Sequence, residues 1–342
     1  MGKKQKRNKR IAVALSGGVD SSVAAALLKR AGSEIVGVFM KLNNFSSESE
    51  KRARKVAEIL KIPFSVLDLR KEFKKRVIDD FLKEYKKGLT PNPCVVCNKE
   101  IKFGLLLEKA LKLGADFVAT GHYVRKTGNK LLKGKDKEKD QSYFLWQLTQ
   151  KQLKRVMFPV GNYTRMEVEN LAKKFKLPFG KVKKSQEICF ISKTIEDFLK
   201  RYLKLKPGDI LNKEGKVSGR HQGLFLYTIG QRKGIGLPQG PYYVLNKNLK
   251  KNALIVTENE KDLLKKELFV KNVNWISGKK PKLPLKVMAK IRYRHQSAPA
   301  TMYKIPDTKY RVLFSSPQRA VTPGQSAVFY RGEELLGGGI IC

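Results

Sequence analysis

The fold is decided by residues 11–22, which read Ile-Ala-Val-Ala-Leu-Ser-Gly-Gly-Val-Asp-Ser-Ser. The apolar run Ile11–Leu15 predicts a buried strand, and Ser21–Arg30 predicts a helix. Because a parallel sheet binds its ligands at the carboxyl ends of its strands, the Ser-Gly-Gly turn between these two elements predicts a ligand-binding loop.

The strand–helix alternation continues to residue 120. Further strands are predicted at Glu34–Met40, Phe64–Leu69 and Asp116–Thr120, and helices at Glu48–Leu60, Lys71–Lys87 and Lys102–Leu113. This β-α order predicts an α/β domain with a Rossmann-like parallel sheet covered on both faces.

The pattern changes near Lys206. Beyond it, Gly and Pro separate short alternating runs at Phe225–Ile229, Tyr242–Asn246, Ala253–Thr257, Lys286–Tyr293, Tyr310–Phe314 and Ser326–Tyr330. Such spacing predicts small β-rich domains. We therefore expect a basic flexible arm at 1–10, a catalytic domain at 11–205, a central β-rich domain at 206–272 and a C-terminal β-barrel at 273–342.

Charge dominates the composition. The 342 residues include 72 Lys and Arg against 30 Asp and Glu, a formal net charge of +42. This excess predicts a polyanionic partner, nucleic acid above all. A genome rich in Lys codons would give a similar composition without such a partner. No apolar stretch reaches the roughly 18 residues that span a membrane, so we expect a cytoplasmic protein with no membrane partner.

The residues of the loop suit a phosphate. Gly17 and Gly18 permit close approach of the backbone to an anion, and the amides that begin the following helix carry partial positive charge. Ser16 and Ser21 add hydroxyl groups. Asp20 would repel a bare phosphate, so its predicted partner is a cation such as Mg²⁺ or a capping amide.

The four cysteines are Cys94, Cys97, Cys189 and Cys342. Three interpretations of the Cys94–Cys97 pair compete: half a zinc site, a thioredoxin-like redox pair, and a thiol for nucleophilic attack or sulfur transfer. The zinc site lacks a second close ligand pair, and the flanking Pro and Asn residues do not suit a thioredoxin fold. Cys189, by itself, is typical of a buried strand.

Several motifs in order along the chain resemble those of the tRNA-specific 2-thiouridylase family, within the ATP-pyrophosphatase superfamily. They are Ser16-Gly17-Gly18-Val19-Asp20-Ser21-Ser22, Asn92-Pro93 with Cys97-Asn98, Ala119-Thr120-Gly121-His122-Tyr123, Lys139-Asp140-Gln141-Ser142-Tyr143-Phe144-Leu145, Cys189-Phe190-Ile191, Arg292-Tyr293-Arg294-His295 and Pro323-Gly324-Gln325-Ser326-Ala327-Val328. One difference bears on the assignment, because position 94 is Cys where some relatives carry Asp.

The resemblance implies an adenine nucleotide alpha hydrolase-like topology and a function: ATP-dependent 2-thiolation of the wobble uridine of tRNA, giving AMP and pyrophosphate. It implies Cys97 as nucleophile, Cys189 as carrier of a persulfide, and a transient Cys97–Cys189 disulfide. The cofactors implied are ATP and Mg²⁺. The partners implied are Lys, Glu and Gln tRNAs and an upstream persulfide donor protein.

The resemblance also implies two sets of binding residues. The ATP set is Ala14, Leu15, Ser16, Gly17, Gly18, Val19, Asp20, Ser21, Met40 and Gly121. The tRNA or base set is Asn92, Pro93, Cys94, His122, Lys139, Asp140, Gln141, Tyr293, Arg294 and Gln325.

Two other functions remain open at the level of sequence. A GMP or NAD synthetase would share the Ser-Gly-Gly loop, but it needs neither the dispersed cysteines nor the basic β-rich tail. A non-catalytic RNA-binding protein would need neither Asp20, Cys97 nor Cys189.

Overall fold

The structure, a computed structural model, describes residues 9–44, 46–179, 188–307 and 309–342. The predicted arm 1–10 and residues Ser185–Glu187, which precede the Cys189 motif, thus lie almost wholly outside the described residues. Within the described part, no helix is long and apolar enough to cross a membrane.

The N-terminal part is built on a parallel sheet of five strands in the order β3-β2-β1-β4-β7. Its strands, with the β5–β6 hairpin, are β1 (Arg10–Ala14), β2 (Glu34–Lys41), β3 (Phe64–Asp68), β4 (Phe117–Ala119), β5 (Val124–Thr127), β6 (Lys130–Lys133) and β7 (Val156–Met157). This arrangement confirms the predicted Rossmann-like sheet.

The helices of this part are α1 (Val19–Arg30), α2 (Ser47–Ile59), α3 (Arg70–Phe73), α4 (Asp79–Lys86), α5 (Pro93–Cys97), α6 (Leu107–Lys112), α7 (Gln150–Leu153), α8 (Arg165–Lys174) and α9 (Ile195–Tyr202). Wider π turns at Lys74–Ile78 and Asn98–Leu106 join α3 to α4 and α5 to α6, and Ser142–Leu145 form a 3₁₀ turn.

Alternation along β1 places the sheet between two cores. Ile11 and Val13 face a core that contains Val23 of α1, whereas Ala12 and Ala14 face a second core. The predicted run of apolar residues is therefore buried on both sides, as strands of a covered parallel sheet are.

One predicted helix begins earlier than expected. The helix predicted from Lys102 starts at Pro93, so the two cysteines of the pair lie in α5 rather than in a loop. Pro93 occupies the first helical position, where its missing N–H costs no hydrogen bond. Because proline is also common in loops, the sequence pattern favoured the wrong alternative.

The central part is a sheet of four strands in the order β10-β11-β8-β9. Its strands are β8 (Gly208–Leu211), β9 (Val217–His221), β10 (Tyr243–Asn248) and β11 (Ala253–Thr257). The strand predicted at Phe225–Ile229 was wrong, since Leu224–Leu226 form a 3₁₀ turn. Leu224 and Tyr227 are buried in the core of this domain, and a short apolar run reports burial without fixing the backbone conformation.

The C-terminal part is a closed antiparallel barrel of six strands, in the order β12-β15-β14-β13-β16-β17 with β12 also paired to β17. A 3₁₀ turn at Glu260–Leu263 leads into it, and the strands are β12 (Leu264–Trp275), β13 (Leu285–Lys290), β14 (Ala298–Lys304), β15 (Tyr310–Arg319), β16 (Ser326–Arg331) and β17 (Glu334–Ile341). The boundary predicted between residues 272 and 273 falls inside β12, at the point where its pairing with β17 shifts register between Lys271 and Asn274.

The barrel is joined closely to the N-terminal part. The β5–β6 hairpin pairs with β17 and so extends the barrel sheet. Trp146 is fully buried and its indole N–H donates to Ser326 Oγ at 3.0 Å, while Tyr143 Oη donates to the Ser326 carbonyl at 2.9 Å. These bonds fix the position of the barrel beside α5, the helix that carries the cysteine pair.

Candidate active site

Hydrogen bonds of the Ser21 hydroxyl group fix the conformation of the loop after β1. Ser21 Oγ accepts a hydrogen bond from the Ser16 amide at 3.1 Å and donates to the Gly18 carbonyl at 3.0 Å. Gly17 has a φ of +75°, and a Cβ there would lie 2.2 Å from the Ser49 carbonyl oxygen. Gly18 immediately precedes α1 and has no side chain to cap its first amides. The loop is therefore shaped to present backbone N–H groups to an anion.

Gly121 lies directly against this loop. A Cβ at Gly121 would be 2.5 Å from the Ser21 nitrogen and 2.6 Å from the Asp20 carbonyl carbon. The carboxyl ends of β1 and β4 therefore meet at this point, as the parallel sheet requires. The structure thus brings Gly121 beside the loop residues with which the sequence grouped it.

Asp20 has two partners that sequence reasoning missed. Tyr123 Oη donates to Asp20 Oδ1 at 2.7 Å, and Arg165 Nη1 forms an ion pair with the same oxygen at 2.6 Å. Burial, followed by the charge of Asp20, raises the pKa of Tyr123, so the phenol stays a donor. Arg165 is 145 positions from Asp20, a separation at which no local pattern could have revealed the pair.

Met40 ends β2 near the loop. It is partly buried and packs against both the second sheet core and the core that holds Cys97. It therefore lies between the loop side of the sheet and the cysteines.

The thiols of the site come from two distant segments. Cys94 is half-buried and Cys97 is buried, both in α5, whereas Cys189 is exposed. The Cys189 segment is anchored by Phe190, whose ring packs edge-on against Phe73 and Phe81 with centroids 5.8 and 5.5 Å apart. Phe190 and Cys97 belong to one apolar core, so Cys189 is held beside α5. All four cysteines of the chain are free thiols.

Lys102 lies among these thiols. Burial raises the pKa of Cys97 to about 12; Lys102 opposes the shift, and the negative charge of Cys189 and Cys94 adds to it. Burial also raises the pKa of Cys94, and loss of hydration beside neighbouring protein atoms raises that of Cys189 although the residue is exposed at its surface; Lys102 opposes both shifts. The thiols therefore share one electrostatic environment in which Lys102 favours the thiolate.

We predict that Lys102→Ala slows alkylation of Cys94 and Cys189 by iodoacetamide severalfold near neutral pH. Without the ammonium group the thiol pKa values rise further, so the reactive thiolate is scarcer and the alkylation rate reaches half its limit at higher pH. The measurement is the rate of alkylation against pH, followed by peptide mass spectrometry. Lys102→Arg, which keeps the charge, is the matched control, and equal pH profiles for both variants would contradict the assignment.

His122 connects the loop to the thiols. It is 7% exposed, its Nδ1 lies 2.7 Å from Thr120 Oγ1, and its ring is 5.8 Å from that of Phe103. Burial, then the charge of Lys102, lowers its pKa well below 6.5, so the imidazole is neutral. Gly121, which lies against Ser21, is thus followed directly by a neutral imidazole that is near enough to Lys102 for its charge to act on the pKa of His122.

The predicted tRNA contacts divide into exposed and internal groups. Lys139 and Arg294 are exposed. Tyr293 is half-buried and packs against Phe144 with ring centroids 4.4 Å apart and the ring planes tilted by 43°. Burial, then the charge of Asp140, raises the pKa of Tyr293, and the charge of Cys94 adds to that shift. The barrel thus contributes an aromatic ring to the cysteine site.

Three residues of the predicted tRNA set lie at the start of α5 or contact the segment before it. The side chain of Asn92 hydrogen-bonds Tyr143, and Pro93 is buried. Gln325 Nε2 donates to the Thr90 carbonyl at 2.8 Å, which ties the barrel to the approach to α5.

The prediction that Asp140 contacts tRNA directly is corrected by its burial. Asp140 is 6% exposed. Its carboxylate accepts hydrogen bonds from the Gly134 amide, the Ser142 amide and Ser142 Oγ at 2.9–3.0 Å. Gln141 likewise accepts from the Tyr123 amide at 3.0 Å. Buried carboxylates require such donors, and these bonds fix the conformation of the segment that presents Lys139.

Metal binding has little support from the protein alone. Among the residues that the structure describes, no group of three or more His, Cys, Asp and Glu side chains could hold a metal ion.

Comparison with known proteins covers the whole chain. A family model described as tRNA methyl transferase HUP domain matches residues 9–193, one described as tRNA methyl transferase PRC-barrel domain matches 196–258, and one described as Aminomethyltransferase beta-barrel domain matches 265–341. The matched domains are those of tRNA-modifying transferases.

Relatives with similar sequences identify the family within this class of transferases. The tRNA-specific 2-thiouridylase MnmA 2 of Thermoanaerobacter sp. is 46% identical over 357 residues, covering 98% of each chain. The tRNA-specific 2-thiouridylase MnmA of Syntrophomonas wolfei is 44% identical over 339 residues, covering 97% of this chain and 99% of the relative. The chain therefore belongs to the tRNA-specific 2-thiouridylase family, a family of tRNA-uridine 2-sulfurtransferases, which confirms the resemblance found in the sequence.

Proposed function

We propose that this enzyme uses ATP to replace the C2 oxygen of the wobble uridine of tRNA with sulfur. The observation that carries the proposal is the continuity of the site: the loop after β1 is joined through Gly121, His122 and Lys102 to the three thiols. A nucleotide site and a sulfur site on the same domain suit a reaction in which an oxygen is activated and then displaced.

The nucleotide would bind at the loop. The Ser16–Ser21 turn, the amides that begin α1, and Gly121 form a cradle whose backbone packing leaves no room for side chains at Gly17 and Gly121. The C2 oxygen of uridine attacks the α-phosphate of ATP there, pyrophosphate leaves, and the C2–O–AMP group becomes a good leaving group. Ala14, Leu15, Val19 and Met40 complete the pocket.

The fit of Mg²⁺ is poorer. Asp20 is the carboxylate nearest the loop, and its Oδ1 is already engaged by Tyr123 and Arg165. The described residues supply no cluster of ligands for the ion. We therefore assign Mg²⁺ to the nucleotide as a counter-ion and derive no step through it.

The sulfur step uses two thiols, Cys189 as a persulfide and Cys97 as a free thiol. Cys189, which is exposed, accepts a persulfide from an upstream donor protein. The terminal sulfur of the persulfide forms a bond to C2 and AMP leaves. Cys97 then attacks the inner sulfur, that of Cys189. The sulfur–sulfur bond of the persulfide breaks, the outer sulfur stays on C2 of the base, and a Cys97–Cys189 disulfide forms. An external dithiol then reduces this disulfide.

Recognition of tRNA rests on charge and on the barrel. Exposed Lys139 and Arg294 and the net charge of +42 suit phosphate contacts, and Tyr293 stands beside Cys94 where a flipped base would stack. The proposed substrates are the Lys, Glu and Gln tRNAs, modified in the cytoplasm.

The deciding experiment is nucleoside mass analysis of tRNA after incubation with this enzyme, ATP, Mg²⁺ and a persulfide donor. We expect the mass increase of sulfur for oxygen on the uridine at the first anticodon position. The increase of a methyl group would instead support the chemistry named in the matching family descriptions. Pyrophosphate release that needs a small acid rather than tRNA would favour a synthetase.

A further inference from the structure

Cys94 is the thiol of the site that the proposed sulfur transfer does not use. It is half-buried, one helical turn before Cys97 in α5. Residues three apart on a helix face the same side, with Cβ atoms roughly 5–6 Å apart, and the Cα separation of such a pair falls within the range of about 4.4–6.8 Å that disulfides adopt. A small adjustment at the start of the helix would let the two sulfurs bond.

The three thiols are also mutually close. The charge of Cys189 acts on both Cys94 and Cys97, and the charge of Cys94 acts on Cys97. Phe190, next to Cys189, shares the apolar core of Cys97. A disulfide between Cys97 and Cys189 would therefore form within reach of the Cys94 sulfur.

We propose that Cys94 is the resolving thiol of this enzyme, which moves the Cys97–Cys189 disulfide into α5 and so frees Cys189 for the next persulfide. The inference rests on the proposed function, since that reaction creates the Cys97–Cys189 disulfide. It gives Cys94 a role in the reaction beyond contact with the base.

The exchange balances without an oxidant. The Cys94 thiolate attacks the Cys97 sulfur, the Cys94–Cys97 bond forms, the Cys97–Cys189 bond breaks, and Cys189 leaves as a thiolate that takes up a proton. Disulfide exchange favours expulsion of the thiol with the lower pKa. Exposed Cys189 is a better leaving group than buried Cys97, whose pKa is about 12. An external dithiol finally reduces the Cys94–Cys97 disulfide and is itself oxidised.

The locations of the two disulfides explain why the exchange would help the next round of sulfur transfer. Cys189 must be free and exposed to meet the donor protein, and the exchange releases it before any reductant arrives. The resulting disulfide lies in one helix with half-buried Cys94 as its accessible end. Burial raises the pKa of Cys94, and the nearby charge of Lys102 opposes that shift and so favours the attacking thiolate.

The test is a single round of thiolation by enzyme loaded with persulfide, given tRNA and ATP without reductant, then quenched with acid, alkylated and mapped by peptide mass spectrometry. We expect wild type to carry a Cys94–Cys97 disulfide and alkylated Cys189. Cys94→Ser should carry Cys97–Cys189 instead. With a dithiol present, its second turnover should be severalfold slower than its own first, because Cys189 stays in the Cys97–Cys189 disulfide and cannot accept the next persulfide until the dithiol reduces it.

The outcomes separate the two claims. Wild type that makes thiolated tRNA and retains Cys97–Cys189 with alkylated Cys94 would overturn the resolving role while the proposed function stands. Thiolated tRNA with no disulfide in either protein would refute the persulfide route and this inference together. Absence of thiolated tRNA would overturn the proposed function itself. Cys342→Ser, at the exposed terminus, controls for loss of a thiol elsewhere.

Discussion

Replacement of Cys97 or Cys189 by serine will abolish thiolation of tRNA while tRNA-stimulated release of pyrophosphate from ATP continues. The hydroxyl of serine can neither carry the transferred sulfur nor form the disulfide that releases it, so the loss should reach background. Activation should survive because the loop that holds the nucleotide keeps its own bonds, from Ser16 to Ser21 and from Ser21 to Gly18. Both reactions are measured on one sample, by nucleoside mass analysis and by a coupled pyrophosphate assay.

Burial makes the two variants unequal in stability. Cys97 is 7% exposed and packs in the core with Phe190, so its serine variant buries a hydroxyl and should lose about 1–3 kcal/mol of unfolding free energy. Cys189 is exposed and its variant should unfold like wild type. Cys97→Ala therefore serves as a second variant that leaves no buried hydroxyl. Full thiolation by Cys189→Ser under the same sulfur supply would refute the persulfide assignment.

The sheet was predictable because its signals are local. Ile11–Leu15 and Glu34–Met40 are apolar runs of strand length, each followed by a helical pattern, and burial on both faces follows from that composition. The cysteine helix was not predicted to start at Pro93, since proline fits both a loop and a first helical position. The domain boundary between residues 272 and 273 stays a prediction, and β12 runs through it.

The site was predictable only where its residues cluster in sequence. The Ser16–Ser21 loop and the Cys94–Cys97 pair were found from spacing, and Cys189 was found from resemblance to a family. Asp20 meets Arg165 because α8 packs against α1, and it meets Tyr123 because the segment after β4 lies beside the loop; neither contact has a counterpart in local sequence. The hydrogen bonds of Asp140 to the amides of its own segment could not be predicted either. A carboxylate in a Lys-rich stretch is equally typical of an exposed surface residue.

The second large effect concerns the junction of the two halves of the site. Gly121→Ala should lower the rate of pyrophosphate release by about 100-fold, because a methyl group 2.5 Å from the Ser21 nitrogen must push the loop away from β4. A displacement of about 1 Å at a reacting group is enough for a loss of that size. Backbone lies on both sides of the contact, so no side chain can rotate to relieve it.

Gly32→Ala is the matched control for this variant. Gly32 follows α1 at its other end, with a φ of +76° and nothing within 4 Å of an added Cβ, so alanine there should cost about 1–2 kcal/mol of backbone strain without touching the loop. Comparable unfolding temperatures with a loss of pyrophosphate release in Gly121→Ala alone would assign the defect to the loop. Because thiolation depends on activation, it should fall in parallel with pyrophosphate release, whereas the alkylation rates of Cys94 and Cys189 should stay at the wild-type level. Wild-type pyrophosphate release by Gly121→Ala would mean that the nucleotide does not bind against this contact.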